Sequence, residues 1–372
     1  MSSEAGPVVA LTGDVMPQTS LARSALSPET ARAYDLLRDA DVAFANLECP
    51  LTVRGFPADK LVTLRAEPGL AQELQAIGID IVTVANNHAL DFGVDGLFDT
   101  MDALDSAGLP YVGLGRDLES ALACRVVTVK GLRLGFMGVA STLAPNSAAS
   151  EQRPGAAPIR VFTSYVADTV TTEENPGIAP YVKTSALESD VATVEQAVGA
   201  AKQQVDYLLL GLHWGVPNGW VGQFQDVLAE YQQPLAHRLV DAGVDVVVGH
   251  HPHVLHGVEW YRRRPILYSL GNYLFHRLIV GQQPKLQRSY PPYDWSSLRS
   301  ADNLDSVVAR ITLSATGGVD LDIVPVVLDA KGEPQAASGD DGLRIRDRIA
   351  AFSERFGTTV EATESGMRLA GR

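Results

Sequence analysis

The sequence predicts an α/β domain built in layers, on three observations. Short apolar runs alternate with amphipathic stretches, the helix candidates carry their own start and stop residues, and the later part of the chain offers strands with no helices between them. Taken in order, Val8 to Thr12, Val42 to Ala45, Ile79 to Ala85, Val126 to Val129, Leu134 to Val139, Tyr207 to Leu212 and Val244 to Val248 are apolar runs of strand length and read as buried strands. Ser27-Pro28-Glu29 is an N-cap followed by proline at the first helical position, where the missing N–H costs nothing. Gly78 and Gly108 close the next two helices, and Gln223 to Ala242 reads as a further long helix closed by Gly243.

After Val244 the rhythm changes. Val258 to Tyr261, Ile266 to Ser269, Ser306 to Ser314 and Val319 to Leu328 are expected as a second, antiparallel sheet packed on the first. Gly339 to Arg372 reads as a terminal helix with a polar tail. Two segments fit neither pattern: Thr142 to Lys183, rich in Ala, Pro, Ser and Thr, and Arg277 to Asn303, which holds Tyr290, Pro291, Pro292, Tyr293 and Trp295. Segments of that length are expected as lids or substrate-binding insertions, the first standing equally as a surface excursion. No internal repeat is found, so residues 1–372 form one domain with a core over about 8–330 and insertions at about 142–183 and 277–303.

A chain of 372 residues with 46% hydrophobic and 20% charged residues can bury a large core. Its net charge of -14 argues against nucleic acid or an anionic membrane surface as partner and leaves a peptide or a small molecule. Two cysteines, Cys49 and Cys124, supply no disulfide framework and fit a reducing compartment; Cys49 reads as a buried neighbour of a site. Met1 to Pro7 has no signal-like pattern and no run has the length of a membrane span, so a cytoplasmic location is expected. Oligomeric state is not readable.

The informative pattern is where the histidines fall. Of eight, His88, His213, His250, His251, His253, His256 and His276 lie at or near the ends of expected strands, and His237 alone lies within a helix. Strand ends are where α/β enzymes build their sites. Gly13-Asp14, Asn46-Leu47-Glu48, Asn86-Asn87-His88-Ala89-Leu90-Asp91, His213-Trp214-Gly215 and Gly249-His250-His251-Pro252-His253 each follow a strand with an oxygen or nitrogen donor. Carboxylate, amide oxygen and imidazole make a mixed shell for one or two divalent ions, with Zn, Mn, Fe and Ca all compatible.

With Tyr268-Ser269-Leu270-Gly271-Asn272 added, these motifs resemble the CapA (poly-γ-glutamate synthesis) family of calcineurin-like metallophosphoesterases from about Val8 to Phe275. The resemblance implies a four-layer αββα sandwich. It implies that Asp14, Glu48 and His253 face one metal position, that Asn87, His213 and His251 face the other, and that Glu48 bridges. His88 would be the outer-shell catalytic histidine, oriented by Asp91. The chain departs from the pattern at Met16, where the broader superfamily has a histidine ligand, and at Pro217, where the family generally has glutamate. The membrane tether usual in capsule synthesis is also missing, so capsule assembly is not expected.

Two reactions fit. One is phosphoester hydrolysis on a small cytoplasmic substrate, with His88 protonating the leaving group, a scheme that wants two well-held metals. The other is epimerisation of a peptide, to which the resemblance also points, since the family includes the epimerase of lasso-peptide biosynthesis that inverts the C-terminal residue of a precursor. There His88, oriented by Asp91, would serve one face of the Cα, and His253 or His256 the other, with Asp14 orienting; one metal would suffice. This second reading is the one expected, with Trp214, Tyr290, Tyr293 and Trp295 as substrate-binding residues. A non-catalytic peptide-binding protein on the same scaffold is the third. Trp214 stands equally as core, and Arg262-Arg263-Arg264 reads as a charged turn.

Overall fold

Val8–Met16 is buried almost throughout, and the strand it forms lies within the larger of the two main sheets. In the computed structural model, which describes residues 6–21, 26–60, 62–215, 227–276, 300–363 and 366–371, one edge of this strand pairs in parallel with Val42–Leu47. The opposite edge is shared: Val8 to Leu11 pair antiparallel with Asp305–Leu313, and Asp14 to Met16 pair in parallel with Asn272–Phe275. The sheet runs in the order Thr358–Ala362, Met367–Gly371, Val319–Leu328, Asp305–Leu313, Val8–Met16, Val42–Leu47, Ile81–Thr83, Tyr111–Val112. The second sheet runs Val258–Tyr261, Arg264–Leu267, Val246–His250, Tyr207–His213, Leu132–Ala140, Arg125–Val129.

The side chains of Val9 to Leu11 are sorted by the two-residue period of a strand. Val9 and Leu11 join Phe44, Phe136, Leu209 and Val248 in a core between the sheets, while Ala10 turns to the helices Pro28–Arg38, Leu70–Ala76 and Gly93–Ala107. A third core lies between the second sheet and the helices Glu188–Lys202 and Gln232–Ala242. Three cores separate four layers, which is the αββα sandwich. Phe44 and Phe136 meet across the sheets at 5.3 Å, and truncating either would cost about 3–5 kcal/mol. Helix ends follow the sequence: Ser27 Oγ accepts from Thr30 N at 3.0 Å, and Gly108 ends its helix at φ 68°.

Four expectations are corrected. The late strands do not make a sheet of their own: Asp305–Leu313 and Val319–Leu328 extend the first sheet, and Val258–Tyr261 and Arg264–Leu267 extend the second. Each core sheet had an open edge that an antiparallel strand satisfies, so both sheets are mixed. The expected polar tail holds two further strands, Thr358–Ala362 and Met367–Gly371, which bury Met367 and Leu369. The helix before Gly243 starts at Gln232, with Pro234 in its first turn where proline is tolerated; residues 227–231 are not helical, and Gln223 lies outside the described residues. The stretch from Thr142 to Lys183 is no plain loop, because Val161–Val166 and Tyr181–Ala186 pair antiparallel around the short helix Thr169–Glu174.

Candidate metal centre

Parallel strands of both sheets end on the same side of the sandwich, and that brings their terminal donors together. Asp14 is placed by Gly13, at which a Cβ would lie 1.9 Å from the Gly271 carbonyl oxygen; the same carbonyl accepts from Asp14 N at 2.9 Å. Asn46 Nδ2 donates to Asp14 Oδ1 at 2.7 Å, Asn86 Nδ2 donates to Asn46 Oδ1 at 3.2 Å, and Asn86 Oδ1 accepts from His88 N at 3.1 Å. These two asparagines lock three strand ends in register.

The ligand atoms fall into two groups, each within 4.8 Å: Asp14, Glu48 and His253, and Glu48, His213 and His251. Asn87 joins the second, its Oδ1 2.9 Å from His213 Nε2. Glu48 Oε1 stands 3.5 Å from His213 Nε2 and 3.6 Å from His253 Nε2, too far for hydrogen bonds. Both Glu48 oxygens are buried with no hydrogen-bond partner. A buried carboxylate left so is costly unless a cation completes it, so the donor set fits a metal ion, with Glu48 shared between two positions. The resemblance implied this division of ligands.

Backbone strain accompanies the ligands. His251 and His253 have φ of 99° and 57°, conformations that cost non-glycine residues about 1–3 kcal/mol each. Asp14 Oδ2 accepts from His251 N at 3.2 Å, and Asn272 Oδ1 lies 2.8 Å from His253 Nδ1. Asn272 therefore has a place in the site.

Burial and crowding move every titration here. Desolvation raises Glu48 well above the ordinary carboxylate range, and the neighbouring Asp14 charge adds to it. Desolvation also works to raise Asp14, yet hydrogen bonding and attraction from His253 outweigh it and hold Asp14 low. His253 resists desolvation through Glu48 and Asp14 and is pushed up to about 9. Desolvation and neighbouring imidazoles push His213 well down and His251 down to about 3.

Beside the cluster, His88 Nδ1 lies 2.6 Å from Asp91 Oδ2, the orientation that the sequence suggested. Desolvation lowers His88. Lys60, which no motif singled out, has its Nζ 2.6 Å from Asp91 Oδ1. A lone lysine in a loop gives no periodic signal by which to find it.

Other expected residues lie elsewhere. His256 is buried, with its ring stacked on Phe352 at 6.0 Å, and belongs to neither ligand group; the three-residue step from His253 carries it into the interior through buried Val254 and Leu255. Trp214 is 0% exposed, stacked on Tyr268 at 5.4 Å with Nε1 donating to Tyr268 O at 3.0 Å, so it is core and not a substrate contact. Met16 is buried in the core below the helices and supplies no ligand there. Burial raises the Cys49 thiol, which suits a structural neighbour and not a nucleophile. Pro217, Tyr290, Tyr293 and Trp295 lie outside the described residues.

The family of bacterial capsule synthesis proteins, PGA_cap, matches residues 8–277. An uncharacterized protein of Sinorhizobium fredii is 28% identical over 95% of this chain and 91% of its own length. A protein of Mycobacterium tuberculosis named as a probable polyglutamine synthesis accessory protein is 33% identical over 86% of this chain and 74% of its own. The capsule biosynthesis protein CapA of Bacillus anthracis is 25% identical over 83% of this chain and 63% of its own. Among the described residues no helix is long and apolar enough to cross a membrane.

Proposed function

This chain belongs to the bacterial capsule synthesis protein family PGA_cap, and from that membership we propose that it is a metal-dependent hydrolase, cleaving a phosphoester in the synthesis of a capsule-type polymer. This replaces the expectation that capsule assembly is a poor guess. The observation that carries the reaction is Glu48, whose two unpartnered oxygens lie between the two ligand groups. Asp14, Glu48, His253, Asn87, His213 and His251 would hold a divalent cation, and the chemistry it would supply there is Lewis acidity toward a phosphoryl oxygen. His88 moves the proton: with Nδ1 tied to Asp91, its Nε2 is the nitrogen left to protonate a leaving oxygen. Asp91, 1% exposed, keeps that tautomer and orientation.

Epimerisation of a peptide is the second reading, favoured by Met16, which leaves Asp14, Glu48 and His253 as the donors of the first group. One assay separates the two. Protein loaded with Mn or Zn is given an aryl phosphate and, separately, glutamate-containing peptides in deuterated water. Phosphate release that falls about 10²–10⁴-fold in His88→Ala, with metal content unchanged, supports hydrolysis. Deuterium at a Cα with no phosphate release overturns it in favour of the second reading, and neither signal from fully loaded protein removes both.

A further inference from the structure

Lys60 lies on the segment that leaves Glu48 and returns across the His88 side of the cluster. Its ammonium offers three donors, and two of them find acceptors on the His88 loop. Nζ donates to the Asn87 carbonyl oxygen at 2.7 Å and to Asp91 Oδ1 at 2.6 Å, and stands 3.3 Å from His88 Nδ1. Asp91 fastens the same segment by two backbone bonds, its Oδ2 accepting from Leu64 N at 2.6 Å and its carbonyl from Ala58 N at 2.7 Å. The lysine side chain is 19% exposed and the Asp91 side chain 1%, so the contact is largely shielded from water and salt.

We propose that Lys60 is a positioning residue, which holds the Asn87 ligand and the His88–Asp91 pair in one fixed relation. Neutralising Asp91 needs only one of its contacts. The bond to the Asn87 carbonyl does something else: it fixes the backbone of the residue whose Oδ1 reaches the His213 group. Residues that orient ligands without touching the metal commonly change affinity or activity by ten- to hundredfold. Without Lys60, Asn87 loses a backbone tether, while Asp91 keeps His88 Nδ1 and Leu64 N as partners.

The inference rests on the metal-dependent reading, and its test does not require the substrate. Mn(II) alone is titrated into metal-free wild type, Lys60→Met and Lys60→Arg, with melting temperature recorded for each. The expected result is about tenfold weaker Mn(II) binding in Lys60→Met at a melting temperature near that of wild type, with binding restored to within about threefold by Lys60→Arg. Where turnover is measurable, kcat falls in Lys60→Met and KM does not. Lys60→Met that binds Mn(II) like wild type overturns the assignment. So does Lys60→Arg that binds as poorly as Lys60→Met. Absence of phosphoester hydrolysis in wild type would count against the proposed reaction while leaving the Mn(II) comparison intact.

Discussion

Replacing Glu48 by glutamine should make the metal-free protein at least as stable and the loaded protein less so. Both carboxylate oxygens are buried without a partner, a condition that costs about 1–3 kcal/mol per group. Burial, with the Asp14 charge, favours the protonated form of Glu48 at a cost that glutamine, neutral and of the same shape, does not carry, so metal-free Glu48→Gln should match wild type or exceed it by up to about 2 kcal/mol. With unfolding entropy of about 2.1 cal/mol/K per residue, 2 kcal/mol in a chain of 372 residues is roughly a 3 °C rise in melting temperature. Cation at a thousand times its dissociation constant should stabilise wild type by about 4 kcal/mol, roughly 5 °C, and the variant by much less. Scanning calorimetry with a chelator and then with Mn(II) reads both. If Glu48→Gln melts below wild type in chelator, or gains as much from Mn(II), then Glu48 is not a ligand held in a costly state, and the two-position site falls.

Three further outcomes are expected. Because His253, against the desolvation that opposes its charge, is pushed up to about 9 by Glu48 and Asp14, it carries a proton at pH 7 that a bound cation must expel; affinity should therefore rise with pH from 7 to about 9, with proton release visible by calorimetry in two buffers of different ionisation heat, and a flat profile would contradict this. Trp214→Phe removes the donor to Tyr268 O and should cost about 1–3 kcal/mol in denaturant unfolding while leaving metal affinity unchanged; a loss of affinity would return Trp214 to the site. Gly13→Ala sets a methyl group 1.9 Å from a backbone oxygen that cannot swing away, so a loss of about 3 kcal/mol or more is expected in the same unfolding measurement, and a near-neutral result would show that the contact yields.

Much of the site was legible because its donors sit where strands stop. Apolar runs ending in Asp14, Glu48, Asn87, His213 and His251 announce both the layered fold and the place where the ends meet. Helix boundaries were readable at Ser27 and Gly108, since capping is local chemistry. Partnership between distant strands was not: the pattern of Val319–Leu328 says that one face is buried and not which sheet it joins. Nor does histidine spacing report direction. His253 and His256 are three residues apart, yet the left-handed backbone at His253 turns one to Asp14 while the other meets Phe352. Lys60 was invisible because its role rests on the backbone carbonyl of Asn87, which any residue there would offer. Asn46 and Asn86 lie inside strand-end motifs whose spacing does not reveal that their amides tie those ends together.

The strand Val8–Met16 closes its second edge with Asp305–Leu313, almost the whole chain later. During translation at about 5–20 residues per second, Val8 to Leu11 wait roughly 15–60 s before that partner leaves the ribosome. Throughout that interval an apolar strand has an unpaired edge, which is the geometry that invites pairing with a neighbouring nascent chain. Chaperone dependence and growth temperature are therefore expected to govern the yield of soluble protein more strongly than the stability of the finished fold.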